Sequence, residues 1–105
     1  MLLGQVKGTV VSTRKDSNID GFKFLLLQEV DPETMEKGGY VVAVDAVGAG
    51  VEEFVLFACG SAARQTVMTK DRPCDAVVMA IVDTWEVDGN PQYTKVNPEQ
   101  GFGDL

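Results

Sequence analysis

Two glycines in Gly48-Ala49-Gly50 could form part of a phosphate-binding loop. A dinucleotide-binding loop needs a third glycine three positions after the second, so that the backbone can approach the pyrophosphate closely. That position is Glu53, Glu52 precedes it, and two adjacent carboxylates would repel a phosphate. The spacing therefore predicts a tight turn in which glycine supplies a positive φ, and it predicts no cofactor site.

The two cysteines, Cys59 and Cys74, could supply metal ligands or a nucleophile. A structural zinc site takes four ligands, usually cysteine and histidine, and the chain has no histidine and no further cysteine. A nucleophilic cysteine needs a base or a cationic neighbour, and the nearby arginines cannot accept a proton. We expect free, buried and inert thiols in a reducing compartment, and no metal site.

Carboxylates are numerous, but their spacing selects no pair for general acid–base catalysis. The candidates are Asp16, Asp20, Asp45, Glu52, Glu53 and Asp83. Trp85 and Tyr93 lie on a candidate hairpin and could stack a nucleobase. Because no cluster of basic residues accompanies them, packing or interface use is the better interpretation. The sequence thus predicts no catalytic residue and no enzyme.

Charge argues against two classes of partner. The 105 residues include 9 basic and 16 acidic side chains, a net charge of −7. Nucleic acids and anionic membranes both attract positively charged surfaces, so neither partner is expected. The length suits one domain with one modest core, and the N-terminus lacks the pattern of a signal peptide.

Short β segments separated by turn residues dominate the chain. The expected strands span residues 3–12, 22–30, 40–46, 53–58 and 76–87, and residues 92–96 pair back as a hairpin. One helical turn is expected at residues 60–65, with Ser61 as its N-cap.

This order of elements predicts an all-β fold: a small five-stranded barrel of the oligonucleotide-binding (OB) type, with one short helical turn and a C-terminal hairpin and tail. Residues 1–96 are expected to form a single barrel domain. Residues 97–105 are polar and are expected to form a flexible tail.

Several segments are apolar on both strand faces, which a small barrel does not need for its own core. These segments are residues 24–27, 41–44, 54–58 and 76–82. In a chain without a helical layer, another subunit is the expected cover for the second face.

Five segments, in this order along the chain, resemble one known family. They are residues 8–15, 21–28, 43–51, 60–65 and 76–84, and Ala43-Val44-Asp45-Ala46-Val47-Gly48-Ala49-Gly50-Val51 is the most distinctive. Over residues 3–87 the chain is similar to the EutN/CcmL family, the vertex proteins of carboxysomes and metabolic microcompartments.

The resemblance implies a homopentamer of OB-like barrels that caps the vertices of a shell in the bacterial cytoplasm. Hexameric and pseudohexameric shell proteins would be its partners. An OB-type nucleic-acid-binding module remains the alternative, since fold alone does not fix function.

The same resemblance implies roles for six residues. Four of them would form a constrained turn near a subunit contact, and two would organise the helical turn. The turn residues are Asp45, Gly48, Gly50 and Val51, and the helical pair is Ser61 and Arg64.

Overall fold

The computed structural model describes residues 1–12, 21–60 and 75–95, and these form seven β-strands. In chain order they are β1 (Leu2–Val10), β2 (Phe24–Val30), β3 (Lys37–Asp45), β4 (Phe54–Cys59), β5 (Ala76–Ile81), β6 (Thr84–Val87) and β7 (Asn90–Thr94). The first five close into a barrel in the order β1-β2-β3-β5-β4, and β6 and β7 form a separate two-stranded sheet. The all-β fold, the five-stranded barrel and the C-terminal hairpin are confirmed.

One strand prediction was wrong. Residues 76–87, expected to be a single strand, form β5 and β6. The N–H of Val82 donates to the carbonyl of Phe54 at 2.8 Å, and beyond this point the chain leaves the barrel and pairs with β7 instead. The predicted helical turn lies outside the described residues except for Gly60, and the predicted tail lies outside them entirely.

Antiparallel pairing joins β1 to β2 and β4, β2 to β3, and β4 to β5. The barrel is closed by a short parallel ladder between β3 and β5, at Val44–Val77 and Asp45–Val78. Closure protects strand edges that would otherwise pair with other chains. The first part of β3 lies outside this parallel ladder. Among the described residues, it pairs with β2 on one side only.

The barrel interior is filled by alternate residues of each strand, as a half-buried strand requires. The largest of these buried side chains are Leu25, Leu27, Val55 and Phe57. Gly4 also points inward, where a Cβ would stand 2.9 Å from Cε1 of Phe57. Glycine at this position therefore lets β1 pass close to the aromatic ring.

Apolar side chains on the outside of the barrel form two further clusters. One contains Phe22, Val44, Ala58 and Val77. The other contains Leu3, Val30 and Phe54, covered by Leu56, Val82, Trp85 and Tyr93. The chain itself therefore covers much of the outer apolar surface that sequence analysis assigned to another subunit.

The β6–β7 hairpin packs its aromatic residues against Phe54. Trp85 and Tyr93 stack with ring centroids 5.1 Å apart, and the Tyr93 ring lies 4.6 Å from that of Phe54. The indole N–H of Trp85 donates to the carbonyl of Pro32 at 2.9 Å. These aromatic residues serve packing, as expected, and the partial burial of Tyr93 raises the pKa of its hydroxyl.

Cys59, at the end of β4, is exposed and free, so the expectation that it is buried was wrong. Cys74 lies outside the described residues. Within those residues, no helix is long and apolar enough to span a membrane.

Candidate functional site

The loop between β3 and β4, residues 46–53, is held by the side chain of Asp45 at its start. Asp45 is buried, with 5% of its surface exposed. Its Oδ1 accepts hydrogen bonds from the backbone N–H groups of Val47 (3.0 Å), Gly48 (2.9 Å) and Ala49 (3.3 Å). Three backbone donors on one carboxylate oxygen fix the first turn of the loop.

The second oxygen of Asp45, Oδ2, is buried and accepts no hydrogen bond from the described residues. It lies 3.6 Å from Nζ of Lys23, and the N–H of Asp45 donates to the carbonyl of Lys23 at 2.8 Å. A buried carboxylate is tolerated when it is paired and hydrogen-bonded. Asp45 therefore acts as a structural anchor for the loop.

Two residues of the loop adopt a left-handed backbone. They are Gly48, with φ of +79°, and Glu52, with φ of +75°. The prediction of a glycine at positive φ is confirmed for Gly48 and wrong for Gly50, which lies outside that region. At Gly50 a Cβ would stand 3.1 Å from Oε1 of Glu53, a close contact that a small shift of this carboxylate would relieve.

Glu53 closes the loop and ties it to the hairpin. Its Oε1 accepts a hydrogen bond from the N–H of Gly50, and its Oε2 pairs with Nζ of Lys95, just after β7. The hydrogen bond from Lys95, followed by that from Gly50, lowers the pKa of the Glu53 carboxyl. The same contact raises the pKa of Lys95, so the two charges stabilise each other.

Gln5 on β1 supports the strained end of the loop, a role that sequence analysis missed. Its Nε2 donates to the carbonyl oxygen and to Oε2 of Glu52, each at 3.1 Å. Its Oε1 accepts from Nζ of Lys37 (2.9 Å) and of Lys7 (3.3 Å). Only the alternating pattern of β1, which places Gln5 on the polar face, hints at this role in the sequence.

The loop presents apolar side chains to solvent. Val51 is 53% exposed, and Val47 is also exposed. The loop carboxylates of Glu52 and Glu53 are engaged with Gln5, Lys95 and the N–H of Gly50. Within the described residues, no three carboxylate or thiol side chains are grouped so as to hold a metal ion. Such a surface can make contacts with another protein.

The structure brings four of the predicted site residues together in this loop. They are Asp45, Gly48, Gly50 and Val51. The remaining two, Ser61 and Arg64, lie outside the described residues, so their proposed role stays a prediction.

Fold and site together define a small OB-like barrel protein with a hydrogen-bonded loop that exposes apolar side chains. The family model described as "Ethanolamine utilisation protein EutN/carboxysome" matches residues 1–83. The chain belongs to this EutN/CcmL family.

Individual relatives agree with this assignment. The chain is 52% identical over 95 residues to the carboxysome shell vertex protein CcmL of Gloeobacter violaceus, covering 90% of this chain and 95% of that one. It is 42% identical over 88 residues to the microcompartment shell vertex protein PduN of Salmonella typhimurium, covering 80% of this chain and 97% of the relative.

Solved structures match the barrel as well. The structure of Gloeobacter violaceus CcmL superposes with a TM-score of 0.85, covering 90% of this chain and 98% of the other at 52% identity. The GrpN pentameric microcompartment shell protein from Rhodospirillum rubrum gives 0.74, covering 83% and 99% at 44% identity. These relatives are shell proteins, and they lend no support to the nucleic-acid-binding alternative.

Proposed function

We propose that this chain is a structural vertex protein, which assembles into homopentamers that close the shell of a bacterial microcompartment. The observation that carries the proposal is the 52% identity to a carboxysome shell vertex protein across 90% of the chain. The pentameric state is supported by the GrpN structure, whose chain is matched over 99% of its length. The relatives span the shells of more than one kind of compartment, so the proposal concerns the shell and not the enclosed pathway.

The proposed role is geometric. A sheet of six-fold tiles is flat, and five-fold units inserted at its vertices supply the curvature that closes it. Hexameric and pseudohexameric shell proteins are accordingly the proposed neighbours of the pentamer, and the shell in the bacterial cytoplasm is its proposed location. No catalytic step is required of this chain.

The loop anchored by Asp45 is proposed to lie near a subunit contact. A contact surface must keep its shape before binding, because ordering a mobile loop on association costs free energy. Hydrogen bonds accepted by the carboxylates of Asp45 and Glu53, and donated by the side-chain amide of Gln5, provide that rigidity. Burial of the exposed Val47 and Val51 would then stabilise the subunit contact by about 25 cal/mol for each Å² of apolar surface removed from water.

Native mass spectrometry of the purified chain tests the proposed assembly. Five chains of 11.3 kDa give about 56.5 kDa, and this should be the dominant species at micromolar concentration. A stable monomer or dimer would overturn the proposal. Retention on immobilised single-stranded DNA at moderate salt would instead favour the nucleic-acid-binding alternative.

The shell role is tested by deleting the gene in its host. Electron microscopy should show elongated or open shells that close again on complementation with the wild-type gene, while the enclosed enzymes keep their activity in lysate. Normal closed shells in the deletion strain, with no second vertex protein present, would refute the role. Loss of an enzymatic step in lysate would show that the chain is an enzyme.

A further inference from the structure

An uncharged apolar strip remains uncovered on the outer face of β2 and β3. Leu26 pairs with Val42, and Gln28 pairs with Tyr40. Tyr40 is 63% exposed and Val42 is 48% exposed. Because the alternate residues of β2 fill the barrel, these side chains point outward. We call Leu26, Tyr40 and Val42 the contact strip.

The contact strip also lies where β3 has no second strand neighbour among the described residues. β3 pairs with β5 only at Val44 and Asp45. Around Tyr40 and Val42, β3 therefore pairs with β2 alone, within the residues that the structure describes. An exposed apolar strand with a free side is an aggregation hazard unless something covers it. The protein's own hairpin does not cover it, because the hairpin packs around Phe54.

A second uncovered apolar surface is concave. It is an open groove of about 500 Å³ between the start of β1, the outer face of β4 and the β6–β7 hairpin. Its apolar lining includes Met1, Leu2, Pro32, Leu56, Val82 and Val87. Met1 and Leu2 are exposed. We call this the docking groove, and it shares no residue with the contact strip.

We propose that neighbouring subunits of the ring meet by seating the contact strip of one subunit in the docking groove of the next. The inference rests on the proposed pentamer. A two-fold dimer joins one surface to its own copy, whereas a ring of five must join two different surfaces of each subunit. The contact strip on the outer face of the barrel and the concave docking groove lie on different strands, as such a head-to-tail contact requires.

Charge favours the same pairing. Each chain carries a net charge of −7, so copies repel each other over most of their surface. The outward side chains of the contact strip and the flanking Gln28 are uncharged. The strip itself therefore brings no carboxylate into the contact, where an unpaired one would be costly. The groove lining contains one charged side chain, Glu86, which is exposed.

Single substitutions test each side of the contact. Val42→Asp alters the strip and Leu2→Asp alters the groove, and each places a charge in an apolar interface. Each should raise the subunit concentration needed for assembly about 30-fold or more, which is the effect expected when a residue at the centre of an interface is altered. Val11→Asp is the matched control, because Val11 is an exposed valine that belongs to neither surface. It should remain pentameric by native mass spectrometry.

Mixing the two Asp variants distinguishes a head-to-tail contact from other arrangements. The Val42→Asp chain keeps an intact groove and the Leu2→Asp chain keeps an intact strip. An equimolar mixture should therefore form heterodimers and no rings. Circular dichroism on the same samples shows whether the barrels remain folded.

Cross-linking gives a measurement that does not depend on disrupting the assembly. In a Cys59→Ser, Cys74→Ser background, Val42→Cys combined with Val87→Cys should give a ladder up to five chains with a short bis-maleimide. A mixture of the two single variants should stop at two chains, and each single variant alone should give no product. The control pair, Val11→Cys with Val87→Cys, should give no ladder.

Two kinds of result overturn the inference while leaving the proposed function intact. One is a pentameric wild type whose Val42→Asp and Leu2→Asp variants are also pentameric. The other is a pentamer in which the double-cysteine variant gives no ladder, or Val42→Cys alone links to itself. A wild-type chain that is not pentameric refutes the proposed function itself.

Discussion

Replacing Gly48 with alanine isolates the cost of the left-handed backbone in the Asp45 loop. Gly48 has φ of +79°, and an added Cβ meets no atom within 4 Å. Steric overlap with residues other than its two chain neighbours therefore contributes nothing. The remaining cost is that of an L-residue in this conformation, about 1–2 kcal/mol.

Gly50→Ala provides the matched control two residues away. Its backbone is not left-handed, and its Cβ would stand 3.1 Å from Oε1 of Glu53, the end of a side chain that can shift. Both substitutions restrict the unfolded chain equally, an effect of about 0.4–1 kcal/mol in favour of folding. This effect cancels when the variants are compared, so Gly48→Ala should be less stable than Gly50→Ala by about 1–2 kcal/mol.

Urea unfolding followed by circular dichroism measures the difference. The subunit concentration must be the same in all samples, because assembly stabilises the folded state by mass action. Gly48→Asn should fall between wild type and Gly48→Ala, since asparagine tolerates this backbone better than other residues. Equal stability of the two alanine variants, or a less stable Gly50→Ala, would refute the claim that Gly48 is needed for its backbone.

Four further predictions concern the anchor, the ion pair, the hairpin and the thiol. Asp45→Ala leaves backbone N–H groups without their acceptor and should lower the free energy of unfolding by about 2–3 kcal/mol; Asp45→Asn, which retains an acceptor oxygen, should cost less, and equal losses would contradict this account. Because its contact with Lys95 lowers the pKa of Glu53, this carboxylate contributes stability above its ordinary pKa of 4.5 that is lost as pH falls through the folded value. Lys95→Gln should therefore be less stable than wild type above that pH and converge with it in acid, and a difference that persists at low pH would argue against the pair. Trp85→Ala removes the ring stacked on Tyr93 and packed on Phe54, and thermal unfolding should show a loss of roughly 2–4 kcal/mol. Cys59→Ser alters an exposed thiol and should change stability by no more than about 0.5 kcal/mol, with assembly unchanged; release of a bound metal by this variant would disprove the assignment of an inert thiol.

The sequence by itself determined the approximate bounds of the first four strands, the final hairpin and the acidic character of the protein. Alternating residues in β1, and short apolar runs bounded by turn residues in β2 to β4, predicted these strands to within a few residues, because both patterns are local properties of the chain. Asp88-Gly89 predicted the final hairpin, and both residues have the positive φ that a tight hairpin turn requires. The acidic composition disfavoured nucleic acid before any fold was known.

The tertiary structure decided what covers each apolar face. The pattern of apolar residues along a strand shows which faces must be covered. It does not show whether the covering residues belong to the same chain or to another subunit. Folding the hairpin onto Phe54 covers one outer face that we expected a neighbour to cover, and it divides the predicted fifth strand into β5 and β6. The contact strip stays uncovered, and so remains available to a neighbour.

The loop geometry also depended on contacts that are distant in sequence. Glu52 holds a left-handed backbone that glycine would normally supply, and the bond from Gln5 that supports it spans 47 positions of the chain. Gly50 looks like Gly48 in the sequence, yet only the folded structure shows that its backbone is not left-handed and that the Glu53 carboxylate lies beside it. Such roles follow from side chains that meet only when the barrel has closed, so the local sequence does not encode them.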